Sequence, residues 1–306
     1  MLRLPRECRS AKMSRIPFAF VYGATYDGPM ITRHVELMDC FVHLQDPLFA
    51  GCLPGVIERA VKTGIAHLVC PSGAQNEWSG LMDLSFKHDM VIPCFGLHAR
   101  AMACRSEDWR HRLGTFLKIS TAAVGLIGLD YSLRSCDRDS QQQLFIEQLH
   151  LARQFERPAL FECHRAWDDL IAILNDLDAL PPGLLVHNYH GPVHRIEALV
   201  GKGVYFCFPG TMLLDRSRRL ERMLKLIPLD RLLVSTDAPE AAPPALYGPY
   251  QRILENGRTV NEPANLPHLL PGVARTLQID PERLAEVINH NSLCLFGSLI
   301  RTESKA

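Results

Sequence analysis

From residue 35 the chain carries eight short apolar, β-branched runs: "VELMDCFVHL", "IAHLVCPSG", "MVIPCFGLH", "AAVGLIGLD", "PALFECH", "GLLVHNY", "GVYFCFPG" and "RLLVSTD". Each is nearly continuously hydrophobic, as strands buried on both faces are. Most are separated by amphipathic stretches that read as helices. Leu53–Lys62 and Gln141–Phe155 are the clearest, the second with Leu144, Leu149 and Leu151 near helical spacing. Eight strands alternating with helices predict an α/β fold, a single-domain (β/α)8 TIM-like barrel. Asn265–Leu277 and Pro281–Phe296 read as closing helices, the latter with proline at its first position, and Pro243–Tyr250 reads as a loop. The expected organisation is an N-terminal extension over 1–34, the barrel over 35–299 and a short tail over 300–306.

The 306 residues suit one such barrel, since barrels of roughly 250 residues are single domains. Lysine and arginine (33) balance aspartate and glutamate (33), so no broad electrostatic attraction for nucleic acid or membrane is expected. Ten cysteines occur with no C-x-x-C pair, several inside the strand-like runs. They read as buried thiols of a cytoplasmic protein rather than as a disulfide scaffold or a cysteine zinc site. No apolar run approaches the roughly 18 residues of a membrane span, and a monomer is expected. The first 25 residues hold four arginines and one lysine against one glutamate, which suits either a transit-like peptide or a fold that begins at or after Met13. Their stretch "IPFAFVYGA" is expected to pack against the barrel.

Active sites of such barrels lie at the C-terminal ends of the strands. Polar residues gather there: His43 after the first run, His98 after the third and Asp130 after the fourth. Glu162 and His164 end the fifth, His187 and His190 the sixth, and Asp237 the eighth. One histidine at a strand end is usually only a hydrogen-bonded residue. Several imidazoles and carboxylates at one pole favour a divalent ion and metal-assisted hydrolysis.

Several motifs, "MDCFVHL", "GLHA", "AVGLIGLDY", "LLVHNYHG", "LLVSTDAP", "NEP" (261–263) and "NSLCLFG", follow one another in order from about residue 36 to 297. Together they resemble the TatD family of metal-dependent deoxyribonucleases, within the amidohydrolase-like barrels. That resemblance implies two ions, held by a His-x-His pair on strand one, a Glu on strand four, a His on each of strands five and six, and an Asp on strand eight. His43, His187 and Asp237 match. Phe41 stands at the first His of the pair, Leu126 at the Glu and, counted without a gap from Pro158, Glu162 at the strand-five His. A shift of two would put His164 there instead; side-chain parity does not separate them, and the following "AWDDL" favours Glu162.

With two ligand positions apolar, a two-ion clamp on a phosphodiester is not expected. The expected centre is one divalent ion (Zn, Mn or Mg) on His43, Glu162, His187 and Asp237. Asp237 binds the ion or orients the attacking water, His98 and His164 complete the catalytic set, and His190 and Arg165 contact a DNA or other phosphodiester substrate. Two other readings stay open: a non-catalytic barrel that binds a partner or nucleic acid, and a mononuclear ester, amide or lactone hydrolase. Phe41 is read either as core filling the place of a histidine and an ion, or as an aromatic platform for a flat substrate group. The charge run "DRSRRLERMLK" (215–225) is read as a solvated helix face.

Overall fold

A computed structural model describes residues 35–133, 137–214 and 218–301. The expected extension over 1–34, with "IPFAFVYGA", lies outside the described residues. Eight parallel strands follow one another in chain order. They are β1 (Leu37–Asp39), β2 (Ile65–Ser72), β3 (Val91–Phe95), β4 (Ala123–Asp130), β5 (Ala159–His164), β6 (Leu184–His187), β7 (Val204–Pro209) and β8 (Leu232–Ser235). The helices are α1 (Leu53–Lys62), α2 (Trp78–Lys87), α3 (Trp109–Ile119), α4 (Arg138–Gln154), α5 (Trp167–Asp176), α6 (Ile196–Gly201), α7 (Arg218–Leu226), α8 (Leu266–Leu277) and α9 (Pro281–Phe296). This is the expected (β/α)8 barrel.

The elements differ from expectation mainly at their ends. α4 begins three residues before Gln141 because the Asp137 carboxylate caps it, accepting from the Ser140 amide. β1 is a short ladder inside the ten-residue run, which stays hydrogen-bonded further on, where the Val42 amide donates to the Val69 carbonyl. A small antiparallel hairpin, β9 (Gln251–Ile253) with β10 (Thr259–Asn261), follows the 243–250 loop and was not foreseen. Residues 218–225 of the charge run lie in α7, where the Arg219 guanidinium donates to the carbonyls of His190 and Gly191.

The core has two shells. One lies between strands and helices; the other fills the barrel, with Met38, Val69, Ile92, Leu160, Leu185 and Leu233 pointing inward and Leu295 and Phe296 of α9 plugging the lower end. Cys40, Cys94 and Cys207 belong to this inner shell, as buried thiols rather than ligands. Phe41 and Leu126 carry the apolar filling up to the C-terminal pole.

The ends of β1 and β8 close the ring. The Asp237 amide donates to the Phe41 carbonyl (3.1 Å) and the His43 amide to that of Ala238 (2.8 Å). Below them, buried Asp39 accepts from the Thr236 amide (3.0 Å) and from its hydroxyl. Burial lifts the Asp39 carboxyl to about 7, against those hydrogen bonds.

β4 meets β5 most closely at Gly128, opposite Glu162. There φ is +145°, and a Cβ would lie 2.0 Å from the Glu162 carbonyl oxygen. Gly128→Ala must therefore push β5 away from the pole, and a loss of about 3 kcal/mol is expected, to be read from urea unfolding.

Candidate active site

The C-terminal pole is organised around His187 at the end of β6. Its Nδ1 lies 3.0 Å from Glu162 Oε1 of β5, and its Nε2 lies 2.8 Å from Asp237 Oδ1 just beyond β8. Both ring nitrogens face carboxylate oxygens, so both carry protons and His187 is an imidazolium bridging two acids. Burial works against that charge, but Asp237 and Glu162 raise the pKa to about 9. Burial likewise disfavours the Glu162 charge, yet His164 and His187 hold its carboxyl well below the ordinary glutamate value. The Ser235 hydroxyl donates to Asp237 Oδ1 (2.6 Å), fixing the carboxylate from within β8.

Phe41 covers this bridge. Its ring stacks on His187 with centroids 3.6 Å apart and planes 11° from parallel, and it is buried. The core reading of Phe41 therefore holds, and a solvent-facing platform does not. Leu126, packed with the same inner cluster, puts an apolar group where the resemblance implies a bridging carboxylate.

Around the bridge stand four more histidines. His43 meets Phe41 edge-on at 5.2 Å, and burial lowers its pKa against the pull of Asp237. His164 Nε2 approaches Glu162 Oε2 to 3.6 Å, with a side chain one-third exposed, so both strand-five candidates reach the pole and Glu162 is the one that bonds His187. His190 lies 6.4 Å from His164 between ring centroids, its pKa lowered by burial and by His164. His98 is buried, and burial brings its pKa down to about 4. Its Nδ1 accepts from the Arg100 amide (3.3 Å), which in a neutral imidazole leaves Nε2 as the N–H donor. That buried Nε2 has no partner among the described residues.

Arg165, expected beside the substrate, lines a separate hollow next to this cluster. Sequence reasoning gave Ser235 and Asp39 no role in the site, because their bonds to Asp237 and Thr236 form only where β1 and β8 close. The Arg100–Asp130 ion pair (3.3 Å) also escaped it, because partners thirty residues apart leave no local pattern.

A family model described as "TatD related DNase" matches residues 38–297. The chain belongs to that family. It is 27% identical over 264 residues to the "3'-5' ssDNA/RNA exonuclease TatD" of Enterobacter lignolyticus, with 85% of this chain and 99% of that one covered. It is 25% identical over 263 residues to the "Uncharacterized metal-dependent hydrolase YabD" of Bacillus subtilis, covering 85% of this chain and 98% of the relative. The crystal structure of the TatD homologue YJJV from Escherichia coli superposes with a TM-score of 0.77 at 24% identity, covering 87% and 99% of the two chains. This TatD-type protein is thus a metal-dependent hydrolase of the deoxyribonuclease kind.

The family's divalent metal can be tested against the donors present. Among the described residues no three His, Cys, Asp or Glu side chains are arranged to hold one ion. The expected set of His43, Glu162, His187 and Asp237 is therefore not a closed cage. Its central member, His187, has both nitrogens engaged by its two acidic neighbours. A two-ion centre would also need donors where Phe41 and Leu126 stand. The second oxygen of Asp237, in contrast, receives no hydrogen bond from a described residue. The carboxylates of Glu162 and Asp237 are thus the residues that would hold a divalent ion at this pole.

A histidine pKa raised on folding contributes stability that is complete below about 6.5 and lost as pH rises through the folded value near 9. The thermal midpoint should therefore fall between pH 7 and 10 through the His187 bridge. His187→Gln should cost about 3 kcal/mol at pH 7, because it leaves two buried carboxylates without their cation, and should flatten that alkaline slope.

Proposed function

We propose that this TatD-family barrel hydrolyses phosphodiester bonds of single-stranded nucleic acid at the pole around His187, with one divalent ion of the Mg²⁺ or Mn²⁺ kind. The observation that carries this reading is the partnerless, buried Nε2–H of His98 beside the Glu162–His164 pair. A neutral imidazole with an unsatisfied buried donor suits the oxygen of an anionic ligand, because an orphaned donor otherwise leaves its desolvation uncompensated.

The roles follow from placement. Asp237, through its free oxygen, and Glu162 are the carboxylates that hold the ion; when bound, it supplies Lewis-acid stabilisation of the phosphate charge. His187 is a positioning residue: buried beneath Phe41, it orients both carboxylates. His98 donates to a non-bridging phosphate oxygen. Hydrolysis places the hydroxyl of water on phosphorus, breaks one P–O ester bond and returns a proton to the departing oxygen. His164, which is solvent-accessible, and His190, whose pKa is lowered by burial and by His164, would carry that proton. The relatives' names support single-stranded nucleic acid as the substrate class. The eight described cysteines, all free thiols, suit the reducing cytoplasm.

The test is cleavage of a 5′-labelled single-stranded oligonucleotide in Mg²⁺ or Mn²⁺. Wild type should cut, Asp237→Asn should lose activity, and His98→Ala should slow turnover about 100-fold, as loss of one donor to a developing oxyanion does. No cleavage by wild type with either ion, or unchanged cleavage by Asp237→Asn, would overturn the reading.

A further inference from the structure

Beside the pole, the segments that follow β4 and β5 enclose a second hollow of about 340 Å³. Tyr131, Arg138, Arg165, Trp167, Asp168 and Asp169 line it. It begins where the first site ends: the Tyr131 amide donates to the His164 carbonyl (2.9 Å), and Arg165 is the residue after His164. The Arg165 guanidinium is exposed and makes no hydrogen bond or ion pair with another described residue. The Arg138 guanidinium lies 4.6 Å from the centroid of the Tyr131 ring.

The acidic side chains of the hollow are already engaged. Asp168 pairs with Arg195 at 2.7 Å. Asp169 accepts from the Tyr131 hydroxyl (2.6 Å) and from Gln142 Nε2 (3.1 Å), and Gln142 Nε2 also donates to the Tyr131 oxygen (2.7 Å). The Tyr131 ring is thereby fixed in place. Two arginines then stand beside an immobilised aromatic ring; Arg195 offsets the charge of Asp168, while Asp169, held by the neutral Tyr131 and Gln142, keeps its own.

We infer that this hollow is a subsite for the nucleotide that flanks the scissile phosphate, with Arg165 pairing its phosphate and the Arg138–Tyr131 stack flanking its base. A guanidinium fork matches a phosphate's paired oxygens. Bases of single strands stack on aromatic and guanidinium planes without sequence preference. The inference rests on the nucleic-acid reading above and adds what that reading lacks, a contact beyond the reacting phosphate. With Arg195, the hollow and its rim hold three arginines against two aspartates, a local excess of positive charge on a chain of zero net charge.

The experiment is fluorescence anisotropy with a short labelled single-stranded oligothymidylate whose phosphorothioate links resist cleavage, in Mg²⁺ buffer over a range of salt. Arg165→Ala should weaken binding about tenfold and reduce the slope of log Kd against log salt by about 0.7, the share of one phosphate on a single strand. Arg165→Lys should keep the salt slope and recover only part of the affinity. Arg138→Ala, on a different element, should weaken binding without removing the Arg165 share of the slope. Unchanged affinity and slope in Arg165→Ala, with cleavage intact in wild type, would overturn the subsite and leave the proposed activity standing. No oligonucleotide binding by wild type would overturn both.

Discussion

The closure of the barrel between its first and last strands is the constraint on which the site depends. β1 and β8 are short, three and four residues, and the backbone bonds that join them fall just past their ends, at Phe41, His43, Asp237 and Ala238. Asp39 locks this seam from below by gripping Thr236 through both its amide and its hydroxyl. Since Asp237 is the next residue, its carboxylate is aimed by the closure itself. Any loosening of the seam would reach the bridge to His187 before it reached the outer core.

The bridge holds the pole together from within. In a barrel whose pole gathers carboxylates, like charges must be offset by cations. Here an imidazolium stands between Glu162 and Asp237, stacked under an aromatic ring that keeps water away from it. Phe41 and Leu126 both extend the apolar filling of the barrel interior upward. Glu162 gives His187 a second anionic partner beside Asp237.

The outer ring of histidines answers to a different logic. His43, His98 and His190 each have a pKa below the ordinary imidazole value, with burial as the leading cause. They surround a charged pair without sharing its charge, which suits them to accept, donate or pass a proton rather than to repel an incoming cation. A pole built this way presents neutral donors to an anion and leaves one carboxylate oxygen of Asp237 open.

Much of this architecture was legible in the residues. Eight doubly buried runs alternating with amphipathic stretches admit few arrangements other than a closed parallel barrel, because each strand must be covered on both faces. The helices Leu53–Lys62 and Pro281–Phe296 were readable to the residue, since apolar spacing and an Asp-Pro start are local properties. Local chemistry also named His43, His98, Glu162, His164, His187, His190 and Asp237 as residues of one pole. What each of them does there was beyond the sequence. Whether Glu162 or His164 meets His187, whether Phe41 is core or platform, and whether four donors form a cage or a salt-bridged chain depend on distances of a few ångströms between residues 20 to 200 positions apart. Those distances are set by the shear and closure of the barrel, which no single strand encodes.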